Sequence, residues 1–236
     1  LFLGHIKGLE FYLDKAEVQH CVKVLRKTVG DSIHFICGDG NLYLGKLSFA
    51  SKSNVYGSFT KVESNFGSVP YELTVAIAPT KNMDRFESFV EKAVEMGIKR
   101  IVPLICERSE RKVVKTQRLE KIALSATKQS MKGTLTVISE AIPFQTFCST
   151  DHSNMLIAHC EEDGQKSSLI KQLTKGLATT ILIGPEGDFS PSEIALAKQI
   201  GAKPIHLGSS RLRTETAGLV AVATVSQQLG SSLHKL

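Results

Sequence analysis

The chain has 236 residues, 42% hydrophobic and 22% charged, which is enough apolar material for one good core or for a small core beside a medium one. Its net charge of +6 favours a polyanionic partner without identifying one. No apolar run approaches the roughly 20 residues of a membrane span, and Lys7, Glu10, Asp14 and Lys15 occupy the stretch that a signal peptide would keep apolar.

Five cysteines (Cys21, Cys37, Cys106, Cys148 and Cys160) form no CxxC pair and no repeated spacing. They read as the reduced thiols of a cytoplasmic protein, not as a disulfide framework or a zinc site, and no metal is expected. Up to about residue 70, short β-rich pieces such as Ser32 to Ile36 and Leu42 to Leu44 alternate with turn signals. The clearest signal, Gly38-Asp39-Gly40-Asn41, predicts a tight hairpin connection, and the segment as a whole predicts a small β-barrel or sandwich.

After Pro70 the pattern becomes strand, helix, strand, helix. Strands are expected at 73–78, 98–105, 155–158, 180–183 and 204–207. Phe86, Phe89, Val90, Ala93 and Val94 share one helical face, and Leu119, Ile122, Ala123 and Ala126 share another. Ser190-Pro191-Ser192-Glu193 is a capping box with Pro at the first helical position. A last helix is expected from about Thr216 to Leu229, stopped by Gly230. This alternation predicts an α/β domain over 71–236 with a parallel sheet covered on both faces, following a β domain over 1–70.

Open parallel sheets bind ligands beyond the carboxyl ends of their strands. Two such ends carry unusual loops, Gly184-Pro185-Glu186-Gly187 after Ile183 and Gly208 through Thr216 after Leu207. Each leads into a helix N-terminus, where unpaired N–H groups meet a polar ligand. Ordinary βα turns explain the same spacing. There is no GxGxxG after a strand and no GxxxxGK[ST], which disfavours a dehydrogenase, an NTPase or a Rossmann-type methyltransferase.

Between Arg108 and Lys132, eight Lys or Arg stand against two Glu. Lys121, Lys128 and Lys132 fall on one helical stripe, and Arg108 and Arg111 extend the cluster. A phosphate backbone suits such a stripe, and so does plain solvent. His159, at the end of a strand, is either a proton acceptor or a structural histidine.

Taken together, these residues resemble the 16S ribosomal RNA uridine-N3 methyltransferases (RsmE-type) of the SPOUT superfamily, along nearly the whole chain. The resemblance rests on His20 through Leu25-Arg26 with Gly30-Asp31, and on Lys81 with the helix from Phe86 to Gly97. It rests further on Glu107-Arg108-Ser109, Gln129-Ser130, Gly184-Pro185-Glu186-Gly187, and Leu207-Gly208 with Leu212-Arg213-Thr214-Glu215-Thr216-Ala217. Departures fall at Lys128, Lys132 and Leu135 or Thr136, where the family usually has Glu, Arg and Pro. Lys at 132 keeps the charge and loses the guanidinium fork.

The resemblance implies a PUA-like barrel that helps grip RNA, then a SPOUT domain with a C-terminal trefoil knot, working as a homodimer. S-adenosylmethionine (SAM) would be held by Ile183, Gly184, Pro185, Glu186, Gly187, Leu207, Gly208, Leu212, Thr214 and Thr216. Arg213, Glu215 and His159 are the implied catalytic candidates. Arg26, Lys81, Arg108, Arg111, Lys121, Lys128 and Lys132 are the candidates for contact with 16S rRNA or the 30S subunit. The expected reaction is methylation at N3 of one uridine in the decoding region. The alternatives are a SPOUT enzyme for another RNA and a non-catalytic RNA-binding assembly factor on the same scaffold.

Overall fold

The computed structural model describes residues 1–150, 154–162 and 164–230. The chain divides into two compact units, Leu1–Ser68 with Leu124–Leu135, and Val69–Ala123 with Thr136–Leu236.

In the first unit β1 (Phe2–Lys7), β2 (Glu10–Leu13), β3 (Ser32–Ile36), β4 (Asn41–Ala50) and β5 (Val55–Ser64) close into a barrel in the order β1-β2-β5-β4-β3. Alternate residues point inward, so Phe11, Leu13, Ile33, Phe35, Tyr43 and Leu47 fill the interior. Phe35 stacks on Phe11 at 4.6 Å and on Tyr43 at 5.2 Å between ring centroids. Burying each such ring is worth roughly 1.5–3 kcal/mol. The expected turn at 38–41 does join β3 to antiparallel β4. Asp39 accepts from the Asn41 amide at 3.1 Å and from the Tyr43 hydroxyl at 2.5 Å, which fixes the turn.

Between β2 and β3 run a short helix, α1 (Lys15–Gln19), and a π-helical turn, His20–Val24. Residues 124–135 join this unit through backbone bonds: Gly40 donates to the Gly133 carbonyl at 3.1 Å, and Gly133 to that of Phe66 at 2.8 Å.

The second unit continues with β6 (Leu73–Ile77), α2 (Met83–Glu95), β7 (Arg100–Ile105), α3 (Thr116–Gln129), β8 (Val137–Ile138), β9 (Ile142–Pro143) and α4 (Phe144–Cys148). It ends with β10 (Met155–Ala158), β11 (Ser167–Ser168), α5 (Leu169–Gln172), β12 (Thr179–Ile183), α6 (Pro191–Gln199), β13 (Lys203–His206) and α7 (Thr214–Leu229). Its sheet has the order β11-β13-β10-β12-β6-β7-β8, and every one of these neighbouring pairs is parallel.

Both faces are covered. On one, Ala76, Val102, Leu104 and Leu182 pack with Phe144, Phe189 and Ile194. On the other, α7 comes in tightly: a Cβ on Gly218 would stand 2.7 Å from Phe89 and 2.8 Å from Ile77, so only a bare backbone fits there. The last helix starts two residues earlier than the sequence pattern suggests. Arg213 is its N-cap, and Thr214 opens the first turn.

Candidate active site

Because the strands run parallel, the ends of β13, β10, β12, β6 and β7 lie along one edge of the sheet. Five loops follow in that spatial order: 207–213, 159–166, 184–190, 78–82 and 106–115. Residues more than 100 positions apart in the chain therefore become neighbours. The sequence marks the two glycine-bearing loops; the sheet order places His159, at the end of β10, between them.

The loop after β12 is braced from three sides. Gly184 and Pro185 are buried while Glu186 and Gly187 are exposed. The turn closes through the Asp188 amide on the Pro185 carbonyl at 2.9 Å, with Asp188 at φ +63°. Asp and Asn tolerate this left-handed conformation better than most residues. The Asp188 carboxylate accepts from the Phe189 amide at 2.8 Å and from the Cys160 amide at 2.7 Å, tying this loop to the one after β10. Its place at the end of a Gly-Pro-Glu-Gly turn is the one local signal in the sequence for this role of Asp188. Partial burial, with Asp188 close by, pushes the Cys160 thiol above its ordinary value.

On the other side, Glu186 accepts from the Lys81 amide at 3.0 Å. Arg111 donates to the Lys81 carbonyl through Nε at 3.2 Å and Nη2 at 2.9 Å, and the Lys81 ammonium meets Glu110 at 2.9 Å. The Arg108 guanidinium donates to the carbonyls of Gly187 at 3.0 Å and Phe189 at 3.3 Å. Two of the cations singled out for RNA thus bond loop backbone beside the candidate cofactor loop. The loop ends at Ser190, which caps α6. Glu193, 7% exposed, accepts from the Ser190 amide at 2.9 Å and from the Glu107 amide at 2.8 Å. The sequence announced the first of these bonds but not the second.

The loop after β13 turns at Gly208, whose φ of +126° favours glycine. Leu207 and Leu212 are half-buried and Arg213 is exposed. Thr214, 4% exposed, donates its hydroxyl to the Gly184 carbonyl at 3.0 Å and so joins the two glycine-bearing loops directly. Glu215, with a side chain 15% exposed, lies 3.9 Å from Arg85 in the first turn of α2, a partner 130 positions away that local sequence does not reveal. Thr216 is half-buried beside it. His159 is buried, and Lys166 donates to the carbonyls of His159, at 2.8 Å, and Glu161.

The remaining cationic candidates lie elsewhere. Lys128, within the first unit, meets the buried Glu17 carboxylate at 2.6 Å. Lys132 is half-buried; Lys121 and Arg26 are exposed, the latter at φ +52° just after the π-helical turn. Among the described residues no group of three His, Cys, Asp or Glu could hold a metal ion, and no helix is long and apolar enough to cross a membrane.

These loops offer both apolar and polar surface to a ligand. Leu207 and Leu212 offer half-buried apolar surface, and the two loop backbones offer donors and acceptors at a helix N-terminus. A Cβ built on Gly208 would find nothing within 4 Å, so that side of the loop faces open space. A nucleoside carrying an amino-acid tail, which is the chemical form of SAM, matches that set of donors.

Residues 68–226 match the family model described as an RNA methyltransferase domain, and residues 13–60 match an RNA methyltransferase PUA domain. The chain is 33% identical over 223 residues to the ribosomal RNA small subunit methyltransferase E of Rickettsia conorii, covering 92% of this chain and 89% of the relative. Among solved structures it is similar to a probable rRNA-methyltransferase from Porphyromonas gingivalis, 39% identical with a TM-score of 0.83, over 92% of this chain and 93% of that one. A Legionella pneumophila chain described as a "putative methyltransferase" in complex with the bound cofactor SAM is 26% identical with a TM-score of 0.82, over 96% of this chain and 95% of that one.

Proposed function

Because the chain belongs to the RNA methyltransferase family, we propose that it transfers a methyl group from SAM to small-subunit ribosomal RNA, at N3 of one uridine in the decoding region. The observation that carries this reading is the Thr214–Gly184 bond, which joins the two family-specific loops into one cradle at the carboxyl edge of a parallel sheet. The SAM-bound relative of the same fold supports the choice of cofactor. In this reading the first unit, with residues 1–70 at its heart, steadies the RNA. The chain acts as a cytoplasmic homodimer, and the segment leading into α7 forms the trefoil knot.

When bound, SAM supplies an electrophilic methyl group. Everything else falls to the protein. The backbone of 184–187 and 207–212 holds the cofactor and orients it toward the edge where Arg213 is exposed. As N3 loses its proton, negative charge spreads onto the uracil oxygens. The Arg213 guanidinium stabilises that charge. Glu215, 3.9 Å from Arg85, orients Arg213 or takes the proton itself; His159, at the end of β10, is the second candidate acceptor.

The test is transfer of labelled methyl from SAM to 30S subunits isolated from a strain lacking this activity, with the product mapped. A single 3-methyluridine in the decoding region is the expected result. Methyl transfer to a different nucleotide or RNA would overturn the target. Absence of cofactor binding would favour a non-catalytic RNA-binding protein.

A further inference from the structure

Beside the cofactor loop, within the second unit, two adjoining cavities of about 340 Å³ each open between the start of α2, the irregular segment 110–115 and the first turn of α3. Both are lined by Arg111 and Val113, so they form one groove. Their size is in the range of small-ligand sites. Lys81 with Glu110, and Arg118 with Glu87, neutralise one another in its walls. That leaves Arg111, Lys112 and Lys115 against Asp84, an excess of positive charge. Lys112 and Lys115 are exposed and enter no ion pair among the described residues. Val113, 76% exposed, is the most exposed large aliphatic of the second unit among those residues, and it sits at the centre of the groove.

The geometry points to a seat for one unpaired nucleotide of the RNA substrate, flanking the one that is methylated; this rests on the function proposed above. Unpaired bases are recognised by stacking on aromatic or guanidinium planes and on apolar surface, with the phosphate held by lysines. Arg111 is built for the first task. Its Nε and Nη2 both bond the Lys81 carbonyl, so the plane of the guanidinium is fixed before a base arrives. Val113 supplies apolar surface beside that plane, and Lys112 and Lys115 supply the phosphate contact. The same Lys81 peptide whose carbonyl holds Arg111 gives its N–H to Glu186. The groove and the cofactor loop are therefore linked through a single peptide unit.

The experiment compares the full chain with Lys112→Glu/Lys115→Glu and with Val113→Asp in methyl transfer to 30S subunits, over a range of salt. The expected result is a KM for 30S raised at least tenfold, with kcat and the KM for SAM within twofold of wild type. Losing two phosphate contacts should also flatten the logarithmic salt slope of RNA affinity by about 1.4. An unchanged KM and slope would overturn the groove while leaving the methyltransferase reading intact. A changed oligomeric mass in Val113→Asp would also overturn it, by making the groove a contact between copies of the chain. If the wild type transfers no methyl, the methyltransferase reading is what fails. Fluorescence anisotropy of a labelled single-stranded decoding-region oligonucleotide, with the same variants, then decides the groove by the same criteria. Thermal melting of each variant confirms that these exposed positions leave the fold intact.

Discussion

Replacing Glu193 with Gln changes little in shape and much in bonding. The carboxylate accepts two amides, the buried Ser190 N–H at 2.9 Å and the part-buried Glu107 N–H at 2.8 Å. In Glu193→Gln one oxygen remains, and the new NH2 must face the other N–H. One of these donors is left unpaired, at a cost of about 1–3 kcal/mol with the higher figure for the buried Ser190 amide, and the surviving bond loses its charge assistance. The Ser190 hydroxyl still caps α6 through the Glu193 amide at 3.3 Å, so the helix start survives. A loss of about 2 kcal/mol in a chain of 236 residues lowers Tm by roughly 4–8 °C. The effect also reaches the site. Ser190 terminates the loop after β12, and Glu107 precedes Arg108, whose guanidinium holds two carbonyls of that loop. The KM for SAM should rise several-fold in Glu193→Gln while kcat changes little. Thermal unfolding and steady-state methyl transfer measure the two effects separately. A variant melting within 1 °C of wild type, with an unchanged KM, would refute the claim that this one carboxylate braces both loops.

Arg213→Ala should cut turnover at least a hundredfold and leave SAM affinity within a few-fold, as single-turnover kinetics and calorimetry would show; near-normal turnover would remove Arg213 from the chemistry. Lys128→Ala strips the partner from Glu17, 5% exposed, and should destabilise the first unit by roughly 3–5 kcal/mol, far more than loss of a surface lysine. Chemical denaturation followed through the barrel tyrosines would report it. Cys160, the exposed cysteine, should alkylate before Cys21, Cys106 and Cys148, which are buried. Because its thiol is pushed above the ordinary value, the thiolate fraction at neutral pH is lower than that of a free cysteine, and the labelling rate should keep climbing above pH 9. A rate that levels off near neutrality would contradict the burial and the Asp188 field assigned to it.

Features encoded within a few residues could be read from the sequence alone. The capping box at Ser190, the hairpin turn at 38–41 and the buried run of β12 each depend on neighbours in the chain. The two glycine-bearing loops are legible as local patterns at strand ends, although ordinary βα turns share that spacing. What could not be read was set by partners far away. Lys128 looks like any exposed helical lysine until Glu17, 111 positions earlier, closes on it. Arg108 and Arg111 carry the same charge whether they face phosphate or a carbonyl oxygen. The strand order, which sets His159 between the two loops, leaves no mark on hydrophobic periodicity. β8 and β9, two residues each, and the π-helical turn are too short to have a period.

The position of β10 bears on how the protein is made. It is translated before β12 and β13 yet pairs with one on each side. From the moment Ala158 is added until Ile183 completes β12, both edges of a strand carrying Leu156 and Ile157 lack their partners, and the β13 edge stays open until His206 follows. At about 5–20 residues per second this lasts roughly 2–10 s, the interval in which an open apolar edge is most prone to aggregate or to be taken up by chaperones. The loops that make the site close only after that interval, so a nascent or truncated chain cannot sequester cofactor.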